Sequence, residues 1–168
     1  GVNPFPAAVA VELAHMESLI HDDIIDRDHL RRGQLAFHDS YGYEMALLSA
    51  DFLLSMILEI TSRSADPRIA ETLAQETCRM CEGELEEIRV CKSGHEIGMD
   101  EYIGIISKKT ASLFEASAKI GAIIGGAQEH EIEALSSYGK HLGIAYQIRD
   151  DITDLKKKPF NILNLLGV

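Results

Sequence analysis

The chain has 168 residues, 46% of them apolar, which is enough for one domain with a substantial core and short for two. Its formal charge of −11 disfavours nucleic acid and anionic membrane surfaces as partners, and no run of about 18 uncharged apolar residues predicts a transmembrane segment. The three cysteines lack a second Cys/His pair at zinc-finger spacing, so we expect reduced thiols in a cytoplasmic protein.

The first part of the chain is predicted to hold two long helices joined by a loop. Pro4 and Pro6 can begin a helix, and residues 7–25 continue it almost without a breaker. Residues 28–42 are rich in glycine and polar side chains, which is typical of a loop. Residues 43–61 form a long apolar stretch whose length favours a second helix over a strand.

The remaining part is predicted to hold three more helices. The first spans residues 66–90 with Asp66 as its N-cap, the next spans 100–125, and the last begins at 129 and ends at the lysine-rich turn 156–159. No alternating stretch between turn residues predicts a sheet. Five or so long helices with short connections therefore predict an all-α fold, a helical bundle around a central cavity.

Two Asp-Asp-x-x-Asp motifs, at residues 22–26 and 150–154, stand out within these helices. Residues four apart project from one helical face, so Asp22 and Asp26 form one oxygen cluster, and Asp150 and Asp154 form another. Such carboxylates repel each other unless a cation neutralises them, and Mg²⁺ suits this role because it combines few carboxylates with substrate phosphates. A single motif is compatible with a solvated acidic face, whereas a pair predicts two walls of one polyphosphate site.

Polar side chains that can contact a diphosphate lie near both motifs. Arg31 and Arg32 follow the first motif, and guanidinium groups bind phosphate in a bidentate manner. Gln147 lies one turn before Asp150, where it could bond a substrate oxygen or cap a buried carboxylate. His15 is a further candidate on the helical face of the first motif, and Lys109 and Thr110 are candidates on a different helix.

These parts predict a reaction in which a diphosphate leaves. Cations would neutralise the leaving group, and an apolar helical cavity would receive the substrate's tail. A nucleophilic triad, a Walker loop and a dinucleotide fingerprint are all missing from the sequence, which excludes three common alternatives.

The sequence resembles the trans-isoprenyl diphosphate synthase (polyprenyl synthetase) family. The resemblance rests on residues 15–40 (HMESLIHDDIIDRDHLRRGQLAFHDS), on KKTASLFEASAKIGA from Lys108 and on YQIRDDITDL from Tyr146. It implies the isoprenoid synthase type of all-α fold, usually a homodimer. It also implies Mg²⁺-dependent head-to-tail condensation of an allylic diphosphate with isopentenyl diphosphate, with release of pyrophosphate.

The resemblance also implies a role for each candidate. The metal ligands would be Asp22, Asp26 and Asp150, with the shell completed or supported by Asp23, Asp151 and Asp154. The allylic substrate would contact Arg31, Lys109, Thr110 and Gln147, and isopentenyl diphosphate would contact Arg32 and His15. The catalytic group would comprise Asp22, Asp26, Lys109 and Asp150.

The sequence departs from the family pattern in three places. An upstream Gly-Lys-Arg segment and several helices after the second motif are usual, so we expect residues 1–168 to be one isoprenoid synthase domain lacking its N- and C-terminal parts. Gly83-Glu84 stands where the family commonly has Gly-Gln.

Product length in this family depends on side-chain bulk one or two turns before the first motif. Those positions hold Glu17 and Ser18, with Leu13 and Ala14 a turn deeper, and none is aromatic. We therefore expect a product of geranylgeranyl length or longer.

Two alternatives use related features. A terpene cyclase or head-to-head condensing enzyme shares the ionisation chemistry, but the intact second aspartate motif disfavours it. A non-catalytic subunit of a heteromeric synthase would tend to lose one motif, whereas this chain keeps both.

Overall fold

The computed structural model describes residues 3–94, 96–154 and 166, which excludes the predicted turn at 156–159. Seven helices and one short hairpin occur within this part of the chain, so the predicted all-α class is confirmed. The helices are α1 (Phe5–Ile25), α2 (Phe37–Tyr41), α3 (Tyr43–Ser62), α4 (Pro67–Ser93), α5 (Met99–Lys109), α6 (Ala111–Gly125) and α7 (Glu129–Asp154). They form two compact units, Asn3–Ala70 and the described part of Glu71–Val168, called the N-terminal and C-terminal units below.

In the N-terminal unit, α1 packs along α3, and the short α2 packs against both. Alanines are buried on both long helices: Ala7, Ala10 and Ala14 on α1, and Ala46 and Ala50 on α3. Small side chains let helix backbones approach closely, because little volume separates them. This packing positions α1, and the C-terminal end of that helix carries the first aspartate motif.

A two-stranded antiparallel hairpin follows α1, formed by β1 (Leu30–Arg31) and β2 (Gln34–Leu35). The expectation of no sheet was wrong for these residues. Arg32 and Gly33 form the turn with φ of 53° and 79°, and two positive φ values are the mark of a type I′ turn. Arg32-Gly33 is not one of the favoured type I′ pairs such as Asn-Gly or Asp-Gly, so Gly33 alone gave a weak signal for this turn.

In the C-terminal unit, α7 packs closely along α6 through two glycines. A Cβ on Gly139 would lie 2.5 Å from the Phe114 carbonyl oxygen, and one on Gly143 would lie 2.6 Å from Ala111 Cα. Both distances are shorter than any ordinary Cβ contact, so glycine is required at both positions. This close approach positions the second half of α7, which carries the second aspartate motif.

The helix predicted for residues 100–125 is two helices, α5 and α6, which meet at Thr110. Thr110 has φ of −110° and ψ of −48°, and it serves as C-cap of α5 and N-cap of α6. The Ser112 hydroxyl donates to the carbonyl of Lys108 and stabilises the end of α5. The sequence did not predict this junction, because neither proline nor glycine lies there.

Among the described helices, α3 is long and apolar enough to cross a membrane by the test of length and composition alone. It nevertheless carries Glu44, Asp51 and Glu59. A single helix of this kind is weak evidence for membrane insertion, because helices of soluble proteins pass the same test.

The three cysteines, Cys78, Cys81 and Cys91, all lie on α4, and no disulfide joins them. Cys78 and Cys81 are exposed, and Cys91 is partly buried against the core of the C-terminal unit. The predicted helical position of the cysteines is confirmed, and the reduced state of their thiols stays a prediction.

Candidate functional site

The first aspartate motif occupies the last turn of α1. Asp22 is half-buried and Asp26 is exposed, whereas Asp23 is only 4% exposed. Asp26 is the C-cap of the helix, and the last turn of α1 contains no basic residue. Carboxylates at a helix C-terminus oppose the helix dipole, so this cluster requires positive charge from elsewhere.

Arg31 supplies part of that charge through the buried Asp23. Its Nε and Nη2 atoms both lie 2.5 Å from Asp23 Oδ1. Burial alone would lower the pKa of Arg31, but the hydrogen bond to Asp23 and the charges of Asp22, Asp23 and Asp28 outweigh it and raise that pKa. The bond therefore ties β1 of the hairpin to the end of α1 and leaves other guanidinium N–H groups for a ligand.

Arg32 lies at the hairpin turn and is exposed. Its positive φ is uncommon for a residue with a Cβ, and such strained positions concentrate at functional sites. No hydrogen bond or ion pair among the described residues joins the side chain of Arg32 to another predicted site residue, and the same holds for the half-buried ring of His15.

The residues before the first motif include a charged pair. Glu17 Oε1 lies 3.1 Å from His21 Nδ1. Burial raises the pKa of Glu17, His21 opposes this effect and Asp51 on α3 adds to it. The deeper Ala14 is buried at 1% exposure, and none of the positions that the product-length prediction concerns holds an aromatic residue.

The second aspartate motif occupies the last turn of α7. Asp150 is exposed, Asp154 is half-buried and Asp151 is 8% exposed. Tyr102 Oη donates to Asp151 Oδ2 at 2.7 Å, and Gln147 Nε2 donates to Asp151 Oδ1 at 2.9 Å. As in the first motif, the second aspartate points into the protein and the other two remain nearer to solvent.

These contacts belong to a longer chain of hydrogen bonds, the Asp151 network, formed by Thr110, Gln147, Asp151 and Tyr102. Thr110 Oγ1 donates to Gln147 Oε1 at 2.7 Å. The Gln147 amide is therefore held by both of its ends, its oxygen towards Thr110 and its nitrogen towards Asp151. Sequence reasoning included three of these residues and missed Tyr102.

Tyr102 is fixed by the core of the C-terminal unit. It is 1% exposed and packs among Val90, Ile97, Ile105 and Ile106. Burial, followed by the hydrogen bond to Asp151 and the nearby carboxylate charges, raises the pKa of Tyr102 far above its ordinary value, so its hydroxyl stays a donor. Burial also raises the pKa of Asp151, although the bonds from Tyr102 and Gln147 partly oppose that rise.

Lys109 lies at the junction of α5 and α6, where its ammonium group contacts two carboxylates of α4. Its Nζ atom lies 2.8 Å from Glu84 Oε2 and 2.5 Å from Glu87 Oε2. A Cβ on Gly83 would collide with the Lys109 backbone, which explains why a glycine stands at this contact. The neighbouring Lys108 pairs with Glu86 at 2.6 Å. The sequence showed Glu84 only as a departure from the family pattern, and none of these contacts was predicted from it.

The donor chemistry of both motifs fits a hard divalent cation. Asp22 and Asp26 are one helical turn apart, as are Asp150 and Asp154, and each pair offers only carboxylate oxygens. Mg²⁺ is commonly held by one or two carboxylates together with water and phosphate oxygens. Asp23 and Asp151 instead accept hydrogen bonds from protein side chains.

Known proteins share both the sequence and the fold. A family model for polyprenyl synthetase matches residues 4–163. Geranylgeranyl diphosphate synthase of Methanosarcina mazei is 41% identical over 155 residues, which cover 89% of this chain and 48% of that protein. The chain thus spans about half the length of the curated relatives it matches.

Two crystal structures illustrate the likeness in fold. Geranylgeranyl pyrophosphate synthetase from Pyrococcus horikoshii superposes with a TM-score of 0.85 at 41% identity, over 92% of this chain and 49% of that one. Polyprenyl synthase from Caulobacter crescentus, complexed with calcium and isoprenyl diphosphate, superposes with a TM-score of 0.84 at 35% identity, over 89% of this chain and 45% of that one. The isoprenoid synthase type of fold is confirmed, and this chain belongs to the polyprenyl synthetase family.

Proposed function

We propose that this protein is an Mg²⁺-dependent prenyltransferase. It would condense isopentenyl diphosphate head-to-tail with an allylic diphosphate and release a polyprenyl diphosphate of geranylgeranyl length or longer. The observation that carries the proposal is the common build of the two aspartate motifs. In each, the middle aspartate is buried and bonded to the protein, whereas the first and last lie on one helical face nearer to solvent.

The first and last aspartates of each motif are proposed to hold the metal ions. Asp22 and Asp26 would bind the ions on α1, and Asp150 and Asp154 would bind them on α7. Asp23 and Asp151 would instead hold each motif in place through their hydrogen bonds to other side chains. Bound Mg²⁺ would neutralise the negative charge that develops on a departing diphosphate. The Caulobacter crescentus relative, crystallised with calcium and isoprenyl diphosphate, supports a hard cation and a prenyl substrate for this fold.

The remaining candidates are proposed to bind substrate. Arg31, oriented by Asp23, would donate to an allylic diphosphate oxygen, and Lys109 would provide a second positive charge. Thr110 and Gln147 are neutral and hydrogen-bonded to each other. Their side chains would stabilise positive charge on the allylic carbon without forming a covalent bond to it. Arg32 and His15 are proposed to contact isopentenyl diphosphate.

The reaction follows from these roles. The bond between the allylic carbon and the diphosphate oxygen breaks, and its electron pair leaves with pyrophosphate. The double bond of isopentenyl diphosphate supplies the electron pair of the new carbon–carbon bond. A proton then passes from the adjacent carbon to the released pyrophosphate, which restores a double bond and leaves a longer allylic diphosphate. Charge stabilisation of this kind is commonly the largest contribution to rate enhancement.

We also propose a homodimer in the cytoplasm. Met45, Leu48 and Phe52 lie three and four residues apart on α3, and each is more than half exposed. An apolar face of this kind favours a protein partner over water. Sedimentation of the full-length polypeptide should give the mass of two chains, and a monomer at micromolar concentration would contradict the dimer.

An elongation assay tests the function directly. The full-length polypeptide should convert labelled isopentenyl diphosphate and an allylic primer into longer diphosphates when Mg²⁺ is present, and chelation of the metal should stop the reaction. Absence of elongation would reject the synthase. Hydrocarbon formed from farnesyl or geranylgeranyl diphosphate would instead favour a cyclase. A predominantly farnesyl product would contradict the proposed product length and leave the reaction class intact.

A further inference from the structure

Two histidines and an aspartate meet where the hairpin joins α2. One ring nitrogen of His29, one of His38 and one carboxylate oxygen of Asp39 all lie within 4.8 Å of one another. His29 Nδ1 is 2.7 Å from Asp39 Oδ2, and His38 Nε2 is 3.6 Å from Asp39 Oδ1. None of the three was singled out as a ligand by sequence reasoning, and none has a role in the proposed prenyl transfer.

His38 is the unusual member of this group. The residue is 3% exposed, and neither of its ring nitrogens has a hydrogen-bond partner. Its 3.6 Å approach to Asp39 is too long for a hydrogen bond. The ring stacks on Tyr43 with centroids 5.0 Å apart, which holds its plane in place. Buried polar groups are normally satisfied, so this ring lacks a partner that its position demands.

We propose that His29, His38 and Asp39 form a site for a divalent transition-metal ion of the Zn²⁺ class. Imidazole nitrogens favour zinc, cobalt and nickel over magnesium, and two histidines with one carboxylate are a common three-ligand set. The ion would satisfy one nitrogen of His38 and leave a fourth position for water. This site differs in chemistry from the aspartate motifs, which offer oxygen alone.

The three ligand atoms, which lie within 4.8 Å of one another, need to move only slightly to bind one ion. Ligands of one zinc ion lie at about 2 Å from it, and therefore within about 4 Å of one another. The side chain of His29 is 76% exposed, so it can rotate towards the buried ring of His38 without disturbing the core. Asp39 already lies between the two rings, because each of its oxygens faces a different histidine.

The position of the site suggests what the ion would do. The His29 carbonyl accepts a hydrogen bond from the Ala36 N–H at 2.9 Å, which closes the hairpin at its base. His38 and Asp39 lie on α2, directly after the hairpin. A bound ion would therefore tie the base of the hairpin to α2 and hold the segment that carries Arg31 and Arg32. It would stabilise the folded state by mass action.

Cobalt binding to the metal-free, full-length polypeptide provides the test. Excess Mg²⁺ is kept in the sample so that the aspartate motifs are occupied. Co²⁺ should give visible d–d absorption bands at one ion per chain, and Zn²⁺ should displace it. Zn²⁺ should also raise the melting temperature. Absence of the bands, or a signal that excess Mg²⁺ removes, would overturn the site.

Variants then identify the ligands. His29→Ala and Asp39→Asn change exposed side chains, and each should weaken Co²⁺ binding about tenfold or more, since even partners outside the ligand shell cost that much. His38→Phe keeps the ring volume and should abolish binding while the protein stays folded. His141→Ala, at an exposed histidine on α7, should leave binding unchanged. Unchanged affinity in both His29→Ala and Asp39→Asn would disprove the assignment.

Discussion

The two aspartate motifs share their sequence pattern but differ in how the buried carboxylate is balanced. In the first motif Asp23 is paired with the guanidinium of Arg31. In the second, Asp151 accepts hydrogen bonds from the neutral side chains of Tyr102 and Gln147. A charged partner cancels charge, whereas neutral donors only solvate it. The described partners of the two buried aspartates therefore differ in charge.

The partners also differ in what they connect. Arg31 comes from a hairpin that follows α1 directly, so the first motif is organised by residues eight positions apart. Tyr102 is 49 positions from Asp151 and belongs to the core of the C-terminal unit. The first motif is thus coupled to a local turn, and the second is coupled to helix packing. Substitutions at the two sites should accordingly have different consequences.

The largest effect is expected from removing the outer carboxylates. Asp22→Ala and Asp150→Ala should each lower kcat by roughly a hundred- to a thousandfold, the size of losing one group that stabilises transition-state charge. Elongation assays at saturating Mg²⁺ measure the loss, and circular dichroism checks the fold. Glu133→Ala, at an exposed carboxylate of α7, is the matched control and should keep full activity. Substantial activity in either aspartate variant would remove that motif from the metal site.

The second effect concerns the charged partner of the first motif. Arg31→Ala leaves the buried carboxylate of Asp23 without its guanidinium and should lower the free energy of unfolding by about 2 kcal/mol. Urea denaturation measures this loss. Adding Asp23→Asn should restore part of the stability, because the unpaired buried charge is then removed. If the loss of unfolding free energy in the double variant equals the sum of the losses in the two single variants, the ion pair is not what holds the hairpin to α1.

The third effect concerns the neutral partner of the second motif. Tyr102→Phe keeps the packed ring, removes only the hydroxyl and should cost about 1 kcal/mol of stability. Since Asp151 orients Gln147, kcat should fall several-fold while KM for isopentenyl diphosphate stays near its original value. Tyr138→Phe, at an exposed tyrosine of α7, serves as the control. Equal changes in KM and kcat for both substrates would indicate a general loss of structure.

Sequence reasoning predicted the features of this fold that depend on local patterns. The apolar stretches and breakers predicted the long helices α1, α3, α4 and α7 to within a few residues. Both aspartate motifs were also correctly assigned to helices. The hairpin was missed because it rests on four paired residues and on the backbone conformation of Arg32, which residue type alone does not predict.

The contacts that complete the candidate site could not be predicted from the sequence because they join distant positions. In the sequence, Tyr102 resembles any core residue of α5. Only the packing of the helices brings its hydroxyl to Asp151. The sequence alone gives no partner for Lys109, because its contact with Glu87 joins residues 22 positions apart. Spacing rules relate residues within one helix, and they carry no information about which helix packs against another.

The smallest effect is expected at Glu84, which competes for the cation near the second motif. Glu84→Gln removes a carboxylate that contacts Lys109 and should make its ammonium group more available to a diphosphate. Ion pairs that are partly exposed contribute little, so KM for the allylic diphosphate should fall only about two- to fivefold. Steady-state kinetics with varied allylic substrate measure this change.

Glu86→Gln is the matched control for that experiment, because Glu86 pairs with Lys108 and not with Lys109. It lies on the same helix, carries the same substitution and should leave KM unchanged. A higher KM in Glu84→Gln would reverse the interpretation, since Glu84 would then position Lys109 for binding. The direction of this shift therefore decides whether the carboxylate of Glu84 restrains the lysine or orients it.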